Sequence, residues 1–278
     1  MTNPLQQYFR HPELHIILPS KGRWWAEGSI DIPPNGELPV SSMSGSDDIA
    51  MRNADGLMNG DTTVRVVQSC FPSIKDAWEA PNIDMDTMFI AIRIASYGHQ
   101  MDFETTCTAC NAHLDYSVDL REVLGHIKLP NYDQPKTLDN LTFFLKPAPY
   151  KAINLDNQDM YQQQRAFLAI KNTGLTDDDR EQIIKEALAK MAAITVNRLH
   201  DYIDKIIIND TITVTNKDHI KEFISNADVK TFNFIKDAVT NINAEYKLPS
   251  IPVVCDECGH ADQREVTFDP ASFFGKSS

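Results

Sequence analysis

Two stretches decide how this chain is read: Asp102-Phe-Glu-Thr-Thr-Cys-Thr-Ala-Cys-Asn-Ala-His-Leu-Asp-Tyr-Ser-Val-Asp-Leu120 and Ile251-Pro-Val-Val-Cys-Asp-Glu-Cys-Gly-His-Ala-Asp-Gln-Arg-Glu-Val-Thr-Phe268. Each carries a CxxC, Cys107 with Cys110 and Cys255 with Cys258, between β-prone flanks. Phe103 and Thr105 alternate before the first pair, and Leu114, Tyr116 and Val118 alternate after it. That is the period of a strand with one covered face. Each second cysteine is followed by a residue suited to positive φ, Asn111 or Gly259, and by a histidine within three residues. The offset from Cys107 to Cys255 and from Cys110 to Cys258 is 148 residues. The two stretches are therefore expected to form matched hairpins.

A CxxC in a tight turn points backbone amides at the sulfurs and holds two ligands on one side of a metal. Two such knuckles supply four thiolates, which suit tetrahedral Zn²⁺ with Zn–S near 2.3 Å and leave no open position. Cys107, Cys110, Cys255 and Cys258 are expected to hold one structural zinc. Because 144 residues separate Cys110 from Cys255, this reads as a zinc ribbon split by a helical insertion. The entropy cost of closing such a loop grows only slowly with its length. The same thiols are compatible with a metal-free reduced state, a disulfide within either pair, a redox-active pair or an iron–sulfur cluster. Flanks that read as hairpins, instead of a strand leading into a helix, count against the redox motif. His113 and His260 are read as surface residues. Cys70, alone in an apolar stretch, is read as a buried spare.

Composition bounds the rest. The 278 residues are 42% hydrophobic and 23% charged, enough for a real core and, at roughly 150 residues per domain, for one large domain or two small ones. Lys and Arg total 26 against 39 Asp and Glu, a net charge of −13, which opposes any broad phosphate-binding surface. Five cysteines are too few, and odd in number, for a disulfide framework. No apolar run approaches ~18 residues, so no membrane span is expected. The N-terminus lacks the basic start and apolar stretch of a secretion signal. A soluble, acidic, intracellular protein is expected.

The fold class expected is α+β: a mostly helical body, short β-hairpins forming the split zinc-ribbon-like element, and an extended N-terminal arm. Residues 1–45 read as that arm, with a strand at Leu14–Leu18, a turn at Ser20–Gly22, and Trp24 and Trp25 free either to dock on a neighbour or to fold back. Residues 46–100 read as helices, one from Ser46 to about Asn59, one after Asp61, and one from near Asp84 to Gly98. Residues 101–149 hold the first hairpin and a strand at Leu141–Leu145. Residues 150–248 form the helical insertion, with one helix ending at Gly174 and the next opening at Thr176 and running through Ile184, Ala187, Leu188 and Met191 to about His200. A hairpin turns at Asn209-Asp210, and an amphipathic helix carries Phe232, Ile235, Val239, Ile242 and Tyr246. Residues 249–278 hold the second hairpin and a tail.

Enzymatic signatures are missing: no Walker loop, no GxGxxG after a strand, no HExxH and no GxSxG. Asp177-Asp178-Asp179 reads as dipole complementation at a helix start, and Met85 and Met88 read as core filling. His200 beside Asp201 is discounted as an acid–base pair, since adjacent helical residues do not face one another.

Asn3-Pro-Leu-Gln-Gln-Tyr-Phe-Arg10, Leu18-Pro-Ser-Lys-Gly22, Asn35-Gly-Glu-Leu-Pro-Val40, Asp55-Gly-Leu-Met-Asn-Gly60 and Val67-Gln-Ser-Cys-Phe-Pro72 give the chain a further likeness. It resembles the baseplate hub subunit and hub assembly family of T-even-type contractile-tail phages, most clearly over residues 1–120. The resemblance implies a non-enzymatic structural or assembly protein that contacts other baseplate or hub proteins, in the virion baseplate or in the host cytoplasm during assembly. Charge and hydropathy, not the resemblance, lead to the expectation of no nucleic acid and no membrane; a homo-oligomer is left open, and the resemblance carries over no catalytic residue. The competing reading is a nucleic-acid-binding zinc-ribbon accessory protein, opposed by Asp115, Asp256, Glu257 and Asp262 around the knuckles.

Overall fold

A computed structural model describes residues 3–52, 59–171, 182–187, 190 and 198–265. The chain divides into two compact units, one formed by residues 1–129 with 246–278 and the other by residues 130–245. Both mix helices with small antiparallel sheets, so the α+β expectation holds.

The first unit opens with β1 (Pro12–Ile16) paired antiparallel to β2 (Leu38–Ser41), Leu14 opposite Val40 and Ile16 opposite Leu38. Leu38 and Val40 are buried. The N-terminal stretch is tied back at two places: between the strands Ser20 and Trp25 bind the carboxylate of Asp84, and before β1 Arg10 bonds Ser42, Asp47 and Ser69. Of the two outcomes open to the tryptophan pair, Trp25 takes the inward one.

Helix α1 (Gly45–Met51) is capped by Ser44, and its first residue lies one position before the expected Ser46. Ser44 Oγ accepts from the Asp47 amide at 3.2 Å while Asp47 Oδ2 accepts from the Ser44 amide at 3.0 Å. This reciprocal pair satisfies two otherwise orphaned donors. Helix α2 (Asp61–Cys70) buries Val64, Val66, Val67 and Cys70. Helix α3 (Asn82–Tyr97) stops at Gly98 and buries Ile83, Met85, Met88, Ile90 and Ile92, so it lies inside the unit on more than one side. Strands β3 (Gln100–Thr106) and β4 (His113–Asp119) make the first hairpin, and the short α4 (Leu120–Gly125), capped by Asp119, follows directly. This last helix is absent from the sequence reading.

The second unit is a four-stranded antiparallel sheet in the order β5 (Lys136–Leu138), β6 (Leu141–Leu145), β7 (Ile203–Ile208), β8 (Ile212–Val214). Between β6 and β7 the chain makes α5 (Tyr150–Lys171). The β7–β8 turn places Asn209 at φ 48° and Asp210 at φ 57°. Both central residues are left-handed, the geometry that two-residue hairpins favour, and it is reached here without glycine. Helix α6 (Lys217–Asn226) buries Ile220 and Ile224, and α7 (Val229–Glu245) buries Ile235, Val239 and Ile242. The apolar stripe of α7 is thus core. Tyr246, just past that helix, belongs to the first unit and donates to Asp86.

The chain then returns to the first unit as β9 (Ser250–Val254) and β10 (Ala261–Glu265), the second hairpin. Gly174, Thr176, Asp177–Asp179, Leu188, Met191 and the 53–58 end of the first helix lie outside the described residues.

Candidate metal centre

The two knuckles are built alike. In the first, the Cys107 amide donates to the Ala112 carbonyl at 2.8 Å and the Asn111 amide to the Cys107 carbonyl at 2.9 Å. In the second, the Cys255 amide donates to the His260 carbonyl at 2.9 Å and the Gly259 amide to the Cys255 carbonyl at 2.8 Å. Asn111 sits at φ 59° and Gly259 at φ 70°. The chain must pass through the left-handed region just after the second cysteine, and Asn and Gly reach it at least cost.

Each hairpin therefore holds its first cysteine inward and its second outward. Cys107 and Cys255 are buried with Leu114 and Val253, against which Ala112 and Tyr116 pack, whereas Cys110 and Cys258 are exposed. Phe103 stacks on Tyr116 with ring centroids 5.5 Å apart. A polar seam joins the hairpins: Thr108 Oγ1 lies 3.3 Å from His260 Nε2 and donates to Asp262 at 3.2 Å, and Arg264 donates to the Thr106 carbonyl at 2.9 Å. The sequence reading missed this seam because its partners lie about 150 positions apart and meet only once the hairpins dock.

All four sulfurs lie within 4.8 Å of one another. Across the hairpins, Cys107 lies 3.7 Å from Cys258 and Cys110 lies 3.6 Å from Cys255. A tetrahedral ion with metal–sulfur bonds near 2.3 Å puts its sulfurs about 3.8 Å apart, so the donor set has the dimensions such an ion requires. The charges agree. The amide of Cys110, then that of Ala109, lowers the Cys107 thiol to about 6. At Cys110 the Ala112 amide pulls down, but the Cys258 sulfur, partial desolvation, and the Cys107 and Cys255 sulfurs outweigh it and push the thiol up to about 12. Sulfurs this crowded resist full ionisation until a cation sits among them, where a dication favours all the thiolates together.

Neither His113 nor His260 belongs to the sulfur cluster; His113 approaches Asp115 at 3.2 Å on the surface. Cys70 is wholly buried elsewhere in the unit. His200 and Asp201 correct the sequence reading. They lie in a 3-10 turn, Leu199–Tyr202, not an α-helix, and His200 Nε2 comes within 3.6 Å of Asp201 Oδ1.

A family model described as "T4 bacteriophage base plate protein" matches residues 49–275, the greater part of the chain. The chain belongs to this family. The match takes in both knuckles and the whole insertion, whereas the likeness read from motifs was clearest before residue 120. No curated protein and no solved structure matches the chain. Among the described residues of this baseplate-family chain, no helix is long and apolar enough to cross a membrane.

Proposed function

We propose that the chain is a non-enzymatic structural or assembly protein of the baseplate hub in a contractile phage tail, rigidified by one structural zinc on Cys107, Cys110, Cys255 and Cys258. Membership of the base plate family supports the place of action, in the virion baseplate or in the host cytoplasm while the tail is built. The observation that carries the metal is the sulfur tetrad, with inter-hairpin separations of 3.6 and 3.7 Å. Four protein ligands leave the ion no position for substrate, which suits support and not catalysis. The ion would clasp the chain where it leaves for the second unit and where it returns, fixing a scaffold for protein–protein contacts.

Co-elution of the purified chain with other hub proteins tests the assembly role; a monomer that ignores all of them defeats it. Elemental analysis tests the metal. About one zinc per chain is expected from protein purified without chelator, and none defeats the zinc reading.

A further inference from the structure

Beside the knuckles, the first unit has an open groove of about 630 Å³, walled by β4, α4 and the chain running from Lys247 into β9. Its lining includes the apolar Val118, Val123, Leu248 and Ile251. Its walls hold backbone groups that pair in no ladder among the described residues. The bonds from Cys107 to Ala112 and from Leu120 to His99 set the phase of β3–β4 and turn the N–H and C=O of Ser117 away from β3. The bond from Cys255 to His260 sets the phase of β9–β10 and turns the N–H and C=O of Ser250, and the C=O of Pro252, away from β10. Ser117, Ser250 and Pro252 all line the groove.

Charge supplies the second observation. Lys128 and Lys247 exchange backbone hydrogen bonds of 2.9 and 3.2 Å and stand directly opposite each other at the groove. Like charges in that position repel, and neither lysine has an ion pair among the described residues. Of the acids lining the groove, Asp119 is engaged by Arg121 at 2.6 Å, which leaves Glu122; the His126 ring nitrogen Nδ1 lies 2.7 Å from the Glu122 carbonyl. The pair is cationic on a chain whose net charge is −13.

We propose that this groove docks an extended segment of another baseplate protein, added as a strand, with apolar side chains against the apolar lining residues and a carboxylate between Lys128 and Lys247. Main-chain bonds would supply affinity and the lysine pair would set register, as in other strand additions. The source of the segment rests on the assembly reading above; the groove's preference does not.

The test is fluorescence anisotropy of the full chain with a fluorescein-labelled peptide, Ser-Val-Thr-Val-Asp-Val-Thr-Ser. Saturable binding below about 1 mM is expected, weakened at least about tenfold by Lys128→Ala with Lys247→Ala, and equally by Asn for Asp in the peptide. The two losses should not add, since both remove one contact. A probe N-methylated at alternate amides should fail. No saturable binding, indifference to the lysines, or full binding of the methylated probe would each overturn the proposal. Peptide binding by a chain that ignores purified hub proteins would sink the hub reading and leave the groove standing.

Discussion

The β5–β8 sheet and the cysteine hairpins are both small antiparallel structures, yet different forces hold them. Phe143 on β6 is 1% exposed and tilts against Phe223 at 6.4 Å and Phe234 at 5.9 Å, and Ile203, Ile206, Ile220 and Ile235 are buried in the same unit. The sheet is covered by helices and stabilised by apolar burial. Among the described residues, the hairpins bury two cysteines with Leu114 and Val253, and Val118 on β4 besides. At roughly 1.5–3 kcal/mol for each large buried side chain, that patch does not offset the entropy of ordering four strands. Where the core is this thin, the metal proposed for the four sulfurs would supply the stability that packing supplies elsewhere.

Breaking the clasp should have the largest effect. Cys258→Ser removes one of the four proposed ligands, and structural zinc in small peptides is worth on the order of 10–16 kcal/mol apparent. We expect zinc loss, with amide exchange accelerating in β3–β4 as well as in β9–β10, although Cys107 is 151 positions away. Amides of β6 and β7 should keep their protection. Equal loosening of both regions would erase the contrast. The mirror experiment is Phe143→Ala, expected to cost about 3–5 kcal/mol through transfer and cavity terms. Its effect should fall on the β5–β8 unit, and zinc content measured by elemental analysis should not change.

The two regions also differed in legibility. Leu141–Leu145 and the Asn209-Asp210 turn could be placed because a short apolar run and a polar pair carry local signals. The knuckles were legible for another reason: one local pattern occurs twice, and a four-thiolate site needs both copies. Helix α4 escaped because six residues carry too little period to stand out from the strand before it. Asp84 marked only the start of a helix, because nothing near it in sequence announces Ser20 and Trp25 as partners about 60 positions away. Non-local polar contacts leave no period. Repeated motifs do.

Asp84 sharpens the comparison from a third direction, since here one buried carboxylate anchors the N-terminal layer. Burial raises its acid strength threshold from 3.8 to about 6, against the opposing hydrogen bonds of Ser20 and Trp25. An acid whose folded pKa lies above its unfolded value stabilises the fold when protonated. That contribution is complete below about 4 and is lost as pH climbs through about 6. Because the Trp25 indole donates to Asp84 Oδ2 at 2.9 Å, tryptophan emission should titrate with a midpoint near 6. Asp84→Asn should abolish that step. A titration that survives the substitution would assign it to another group.

The smallest expected effect separates the four clustered thiols from the fifth. Cys70 is fully buried in α2, and burial pushes its thiol up to about 12. Only the thiolate is a good nucleophile, so Cys70 should resist iodoacetamide in the folded chain whether or not metal is bound. The cluster should behave oppositely: shielded while its sulfurs share an ion, and alkylated after chelation, with the exposed Cys110 and Cys258 reacting first. Mass spectrometry should then find four modified cysteines and an unmodified Cys70. Cys70→Ala removes a small buried group and should cost about 1 kcal/mol while leaving zinc stoichiometry intact. If that variant lost its zinc, the metal would depend on the packing of α2, and clasp and core could no longer be treated as separate means of holding this chain together.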